Sequence, residues 1–361
     1  MIRRFLAVRP LLSSIALSLL CAGFTAGCAA PEPPEPPSDL LFAVRVNGPV
    51  GLIDSLGNVV VEPQFEVAGR MSEGKIAVAS EGKWGFLDQQ GEWVIEPTFA
   101  DVDRFSDGRA AFVVGGAKRQ EYREGEIVDL TGTGDRPKRG GYIDEGGQVA
   151  IEPAFDGVTV FSSGLAAVRM RGLWGYVNRA GEMVIEAQFE QAGAFHDDRA
   201  AVIRAEGDAG FVDPDGRWIG GFTETYRFGQ GLAPARVEDG TWGFVNPEGE
   251  WVLEPGYFWA GHFSEGLAPV RIGRDWAYID AAGTVVIEPQ FEHAHSFSEG
   301  RAAVKVRGQG WGFVDATGQL VGEPVWQRVD DFSGGLASVK KNATDWGYVG
   351  LDGSVVWEPS S

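Results

Sequence analysis

"GWGFVDATGQLVGEP" occupies Gly310 to Pro324, and the chain writes nearly the same phrase elsewhere: "KWGFLDQQGEWVIEP" from Lys83, "LWGYVNRAGEMVIEA" from Leu173 and "TWGFVNPEGEWVLEP" from Thr241. Aligned on the residue after tryptophan, the phrase is anchored at Gly51, Gly85, Gly141, Gly175, Gly210, Gly243, Ala277, Gly312 and Gly347. The spacings are 34, 56, 34, 35, 33, 34, 35 and 35 residues. Nine anchors at one period are a tandem repeat, with one insertion of about 22 residues at 115–141.

Each column has a physical reading. "AVRVNG", "AAVRMRG" and "AAVKVRG" are short apolar or alternating runs that read as a strand, "WGFVD" as a second and "VVIEP" as a third. Between the last two stands D-x-x-G, as at Asp54–Gly57, Asp88–Gly91 and Asp315–Gly318, with Asn178 and Asn246 in two copies. Aspartate or asparagine at the first turn position accepts a backbone N–H, and glycine at the fourth takes a left-handed conformation. Proline after glutamate removes a ladder donor and is expected to end the third strand. The 52 glycines and 19 prolines suit many short strands and disfavour helices. These readings predict an all-β protein of about nine three-stranded meander units of 34 residues. The expected arrangement is an open, solenoid-like superhelix, with a closed ring or propeller as the alternative.

These phrases resemble the bacterial WG-repeat family, whose repeats of about 35 residues occur in tandem, often behind export signals. The resemblance covers residues 40–361 and departs from the pattern at Gly140, Ala209 and Ala277, and at "GGF" in 220–222. It implies an architecture and brings no reaction or catalytic motif.

Residues 1–28 differ from the rest. Arg3, Arg4 and Arg9 precede an apolar run from Leu11 to Leu20 and then the small residues of "AGFTAGC". That order reads as a secretory signal rather than a membrane span. It resembles a lipoprotein signal, which implies lipidation at Cys28 and an anchored mature protein; Thr25 departs from that pattern, and conventional cleavage near Ala29 or Ala30 is the alternative. Ala29 after the cysteine favours the outer membrane under the familiar sorting rule. Cys21 and Cys28 are the only cysteines, so the exported body has no disulfide or thiol chemistry. Residues 29–39, "AAPEPPEPPSD", read as an extended tether. Three of the 31 basic residues lie in the leader, leaving 28 against 51 acidic ones. Such a body repels nucleic acid and favours solubility or basic partners.

Candidate sites divide into repeated and unrepeated residues. Trp84, Trp174, Trp242, Trp276, Trp311 and Trp346 fill one column and are read as packing between units, the alternative being sugar-stacking platforms. Trp93, Trp218 and Trp251 exchange with aliphatics in a second column and are read as core. Trp259 and Trp326 fall outside both columns and are candidates for exposed partner contact, as are Lys118, Arg119, Arg123, Arg136, Lys138 and Arg139 of the insertion. The column of Glu62, Glu96, Glu152, Glu186, Glu254, Glu288, Glu323 and Glu358 is read as strand-end carboxylates bonding turn N–H groups, with calcium collection as the alternative. His293 and His295 form the best metal lead, an H-x-H without an identifiable third ligand.

No catalytic or nucleotide-binding motif appears, so no catalytic residue and no cofactor are expected. The sequence therefore points to a non-enzymatic, monomeric, lipid-tethered scaffold of the cell envelope that presents a surface to a protein or glycan partner. An envelope glycan hydrolase, marked by two acids that break their column pattern in one concave cluster, and a purely structural spacer are the alternatives.

Overall fold

The computed structural model describes residues 40–115, 120–123, 126–129, 138–205, 207–342 and 344–360. Every regular element among them is a β-strand, and all strand pairs are antiparallel. The second unit shows the plan. Val67–Ala68, Ile76–Ser80, Lys83–Leu87 and Trp93–Phe99 pair in that order as the inner, second, third and outer strand. Units are thus four-stranded rather than three-stranded. The extra strand comes from the connecting segment, where Glu66 N–H donates to Ala79 O (3.0 Å) and Gly69 N–H to Ala77 O (2.8 Å). Two extended residues are too few to show a period of two, which is why the pattern hides them. The first unit alone has three strands, Phe42–Arg45, Val50–Ile53 and Val59–Phe65. Met183–His196 runs on from outer strand of the fourth unit to inner strand of the fifth, joining two sheets into one of seven strands.

The repeated residues account for the joints. Asp54 Oδ1 accepts from Leu56 N–H (2.9 Å) and Asn58 N–H (2.8 Å), and Gly57 follows at φ 85°; Asp88, Asp144, Asp280 and Asp315 bond their own turns in the same way. Opposite the W-G glycine the outer strand bulges: Trp84 pairs with Phe99 and Phe86 with Ile95. A Cβ on Gly85 would lie 2.4 Å from Ile95 O and 2.8 Å from Pro97 N, so this glycine answers a close backbone approach. Proline therefore does not end the strand as expected. Trp93–Phe99 passes through Pro97, which sits in the bulge of an edge strand where no ladder donor is required.

Between units the core repeats one contact. The aromatic that follows the W-G glycine position packs edge-on against the phenylalanine of the next inner segment: Phe86–Phe105 at 4.8 Å, Tyr142–Phe161 at 4.7 Å, Phe211–Phe228 at 4.7 Å and Phe313–Phe332 at 4.7 Å. Such pairs add about 0.5–1.5 kcal/mol beyond burial. Where the aromatic is tyrosine its hydroxyl also donates to the next unit, Tyr142 to Thr159 O (2.8 Å) and Tyr278 to His295 O (2.8 Å); burial raises both phenols well above the usual tyrosine range.

The last unit makes this contact with the first. Tyr348 lies 5.5 Å from Phe42 and donates to Ala43 O (2.9 Å), Arg70 pairs with Asp330 (3.2 Å), and Gly57 abuts Val356. The array is therefore a closed ring of nine units, the alternative arrangement, and the open superhelix is corrected. Each unit needs an aromatic partner from its neighbour, and closure supplies one to the ninth. Gly334 stands where other units carry Glu73, Asp107, Glu265 or Glu299, and a Cβ there would meet Leu40 Cδ1 at 2.2 Å. The seam thus has its own fitted residue.

Candidate binding surface

Register sorts the loops into two ends. In the seventh unit Trp259 pairs with Arg271, Arg271 with Trp276 and Trp276 with Phe291, so one row of residues crosses the sheet. At this tryptophan end lie the turns from second to third strand and the crossings from outer strand to the next inner strand. The opposite end holds the D-x-x-G and F-S-E-G turns. Val114 and Arg139, paired across the base of the insertion, place it at the tryptophan end; its described backbone is a hairpin of Gln120–Arg123 and Glu126–Asp129.

The turn end is uniform and acidic. Glu73 accepts from Asp107 N–H (2.7 Å) and Gly108 N–H (3.0 Å), Asp107 from Gly164 N–H (2.6 Å), Glu265 from Gly300 N–H (2.8 Å), and Glu299 from Gly334 and Gly335 N–H (2.7 and 2.8 Å). Each carboxylate holds the turn of the following unit by a charge-assisted bond; Asp197 does so as well, Gln230 makes the neutral equivalent by accepting from Gly266 N–H, and Ser163 and Gly334 interrupt the series. These are the carboxylates that bond turn N–H groups. The column of Glu62, Glu96, Glu152, Glu186, Glu254, Glu288, Glu323 and Glu358 instead lies exposed along the outer strands, which corrects their expected role.

The tryptophan end has the opposite charge over the last three units. Arg271, Arg274, Lys305, Arg307, Arg328, Lys340 and Lys341 gather there against Asp275, Glu292 and Asp345. Asp275 pairs with Arg307 and Glu292 with Lys305 (3.7 Å), while Arg271 and Arg274 are exposed and make no ion pair among the described residues. The overall charge of −20 hides this segregation.

Beside the cations runs a line of aromatic rings. Tyr226 stacks on Trp242 at 5.2 Å and 9°, Trp259 lies 4.8 Å from Trp276, Trp276 4.7 Å from His293, and His293 5.5 Å from Trp311. Trp242 and Trp276 are buried at 2% and 6% exposure, whereas Tyr226 is 37% and Phe258 62% exposed, and Trp259 is half-buried. Glu224 accepts the Tyr226 hydroxyl (2.9 Å), and burial with this bond raises the phenol's pKa.

Below this mouth the inner wall is polar. The Arg227 guanidinium donates to His262 Nε2, which leaves Nδ1–H facing Ser296 Oγ at 3.4 Å. Burial pushes His262 down to about 4, Arg227 and His196 push the same way and Asp331 opposes. Burial also lowers Arg227, opposed by the charges of Asp331 and Asp197. His295 Nδ1 lies 2.8 Å from Asp331.

The structure brings some predicted residues together. Trp259, Trp326, Lys138 and Arg139 all lie at the tryptophan end. Trp326 pairs with Trp311 and takes the place of phenylalanine in its column, Lys138 is exposed, and Arg139 pairs with Asp156. The backbone of Arg123 is on the hairpin; Lys118, Arg119, Arg136 and Cys28 lie outside the described residues. The columns Trp84, Trp174, Trp242, Trp276, Trp311 and Trp93, Trp218, Trp251 pack on the cores, and Trp346 receives Lys340 at 5.1 Å. His293 and His295 lie 5.7 Å apart ring to ring, one also on Trp276 and the other bonding Asp331, and no group of three metal-ligating side chains occurs among the described residues. Repetition passes over Tyr226 and Phe258, whereas Arg271 belongs to the repeated basic column of Arg45, Arg169, Arg236, Lys305 and Lys340. The available signal was a variable column, read as Val67, Asp101, Gly157, Gln191, Glu224, Trp259, His293 and Arg328, which opens the inner strands.

The family described as "WG containing repeat" matches residues 51–84, 84–116, 141–174, 174–203, 242–274, 276–309 and 311–344. No curated protein matches the sequence. Among solved structures the computationally designed Ika8 protein is 13% identical, covering 81% of this chain and 95% of its own, with a TM-score of 0.44. BamB from Moraxella catarrhalis is 11% identical over 72% and 87%, at 0.41. Apo AztD from Citrobacter koseri is 12% identical over 89% and 93%, at 0.42.

Proposed function

The chain belongs to the WG containing repeat family, and from that premise we propose that it is a non-enzymatic binding scaffold of the cell envelope. In this reading the tryptophan end of the ring receives a protein or glycan partner. The observation that carries it is the division of labour between the ends. One end repeats the same capping bonds unit after unit, while the other varies from unit to unit and combines exposed aromatic rings with cations unpaired among the described residues. Variation on a fixed frame is what a recognition surface needs. Export and a lipid anchor at Cys28 belong to the same proposal and rest on the leader sequence.

The hydrolase reading would turn on Asp330 and Asp331, two acids on the inner wall that break their columns. Asp330 is engaged by Arg70 (3.2 Å) and Ser338 (2.6 Å), and Asp331 by His295, so neither is placed as a free acid or base. The test is capture from envelope extract by residues 39–361, by the same chain without 116–137, and by Arg271→Glu/Arg274→Glu. Loss of a partner from either variant fits the scaffold; equal capture by all three, or capture by none, sinks a tryptophan-end surface.

A further inference from the structure

The aromatic line of the sixth to eighth units and the cations of the seventh to ninth overlap at the seventh and eighth, and their chemistry there is complementary to one ligand class. Resting on the scaffold reading, we propose that this patch binds an acidic polysaccharide, a chain of pyranose rings bearing carboxylates.

Two features converge. Phe258 stands in a column that is otherwise polar or small (Glu66, Ala100, Asp156, Glu190, Thr223, Glu292, Gln327) and is 62% exposed. It adjoins Trp259, whose ring is fixed between Trp242 at 6.0 Å and Trp276 at 4.8 Å. An aromatic ring carries negative potential on its face, and the C–H face of a pyranose presents weakly positive hydrogens, so the two stack. Fixing the ring beforehand avoids an ordering cost on binding. Arg271 lies beside Trp259 in the same row, and Arg274 follows in the next turn; both are exposed and unpaired among the described residues. Guanidinium groups take carboxylates in two parallel hydrogen bonds. Ring faces and carboxylates alternating along a glycan match aromatic and cationic groups alternating across neighbouring units. An acidic peptide offers the charge without the ring faces, and a neutral glycan offers the faces without the charge. The chain as a whole carries a net charge of −20, so a polyanion gains little attraction outside such cationic clusters.

Calorimetric titration of residues 39–361 with oligogalacturonate, a neutral glucan of equal length and poly-glutamate of equal charge tests the idea. Oligogalacturonate is expected to bind tightest, with affinity falling as salt rises. Arg271→Glu/Arg274→Glu should weaken it at least tenfold and Phe258→Ser several-fold, with thermal unfolding unchanged because all three side chains are exposed. Glucan binding as well as oligogalacturonate overturns the acidic part of the proposal. Poly-glutamate binding as well, indifferent to Phe258→Ser, overturns the glycan and leaves the scaffold standing for an acidic peptide. No binding of any probe, with partner capture from extract retained, also overturns the glycan alone; loss of both removes the scaffold reading too.

Discussion

The two ends of the ring are built from the same nine units and obey different rules. At the turn end the acidic side chains hold the frame together. Aspartates bond their own turns, and Glu73, Asp107, Glu265 and Glu299 bond the next unit's. At the tryptophan end the corresponding positions run through valine, aspartate, glycine, glutamine, glutamate, tryptophan, histidine and arginine. In a repeat protein, a residue present in every unit answers a need common to all units. A position that changes while its neighbours stay fixed is free of that need. The contrast predicts that stability and binding are separable by address.

The largest effect should come from the core beneath both ends. Phe211 is 1% exposed and packs on Phe228 at 4.7 Å and Phe222 at 6.0 Å. Phe211→Ala should cost about 3–5 kcal/mol, read from the midpoint of urea unfolding. Because neighbours alone share each core, the loss should be local in hydrogen exchange, concentrated in the fifth and sixth units. Protection lost evenly around the ring would mean that closure makes all nine units one cooperative body.

A smaller effect isolates the capping ladder. Glu299 accepts two backbone N–H groups of the ninth unit, next to the seam. Glu299→Ala should destabilise by about 1.5 kcal/mol, the low end for bonds to a charged group because the site is half-exposed. Glu288→Ala, in the exposed outer column, should stay within about 0.5 kcal/mol. Equal losses from the two variants would erase the distinction between a carboxylate that holds a turn and one that merely faces solvent.

Much of this was legible in the sequence because the repeat multiplies weak local signals. The period, the D-x-x-G turns and the second to fourth strands of each sheet follow from columns read nine times. The inner strand was not legible: two residues cannot display alternation, and its pairing is with the next unit. Closure was not legible either, since it depends on the small rotation between units. Its local traces, Gly334 in a column of polar, mostly acidic residues and Leu40 at the start, acquire meaning only when the two are seen in contact. Trp259 stood out as a tryptophan beyond the columns, whereas Tyr226 and Arg271 look ordinary until the fold sets them beside Trp242 and Trp259.

A separate effect, read by pH, lies on the inner wall between the ends, where acid should act through His262. Its folded pKa of about 4 lies below the ordinary histidine value of 6.5, held there by burial and then by Arg227. Between those values the unfolded chain binds the proton more readily than the folded one, so stability falls as pH drops from about 6.5 to about 4 and changes no further from this group below that. Burial lowers His196 and His293 as well, so they act in the same direction. The turn aspartates Asp54, Asp315 and Asp352 are also lowered, but as carboxylates they lose their contribution in a more acidic window, below 3.8. The two ranges therefore report different parts of the molecule. His262→Gln should flatten the decline of melting temperature between pH 6.5 and 4 and leave the steeper loss below it untouched. An unchanged slope in the upper range would place the acid sensitivity elsewhere, at His196 or at His293 beside Trp276. A variant that altered only the lower range would show that the wall and the turns are coupled, and the division between the ends would no longer hold.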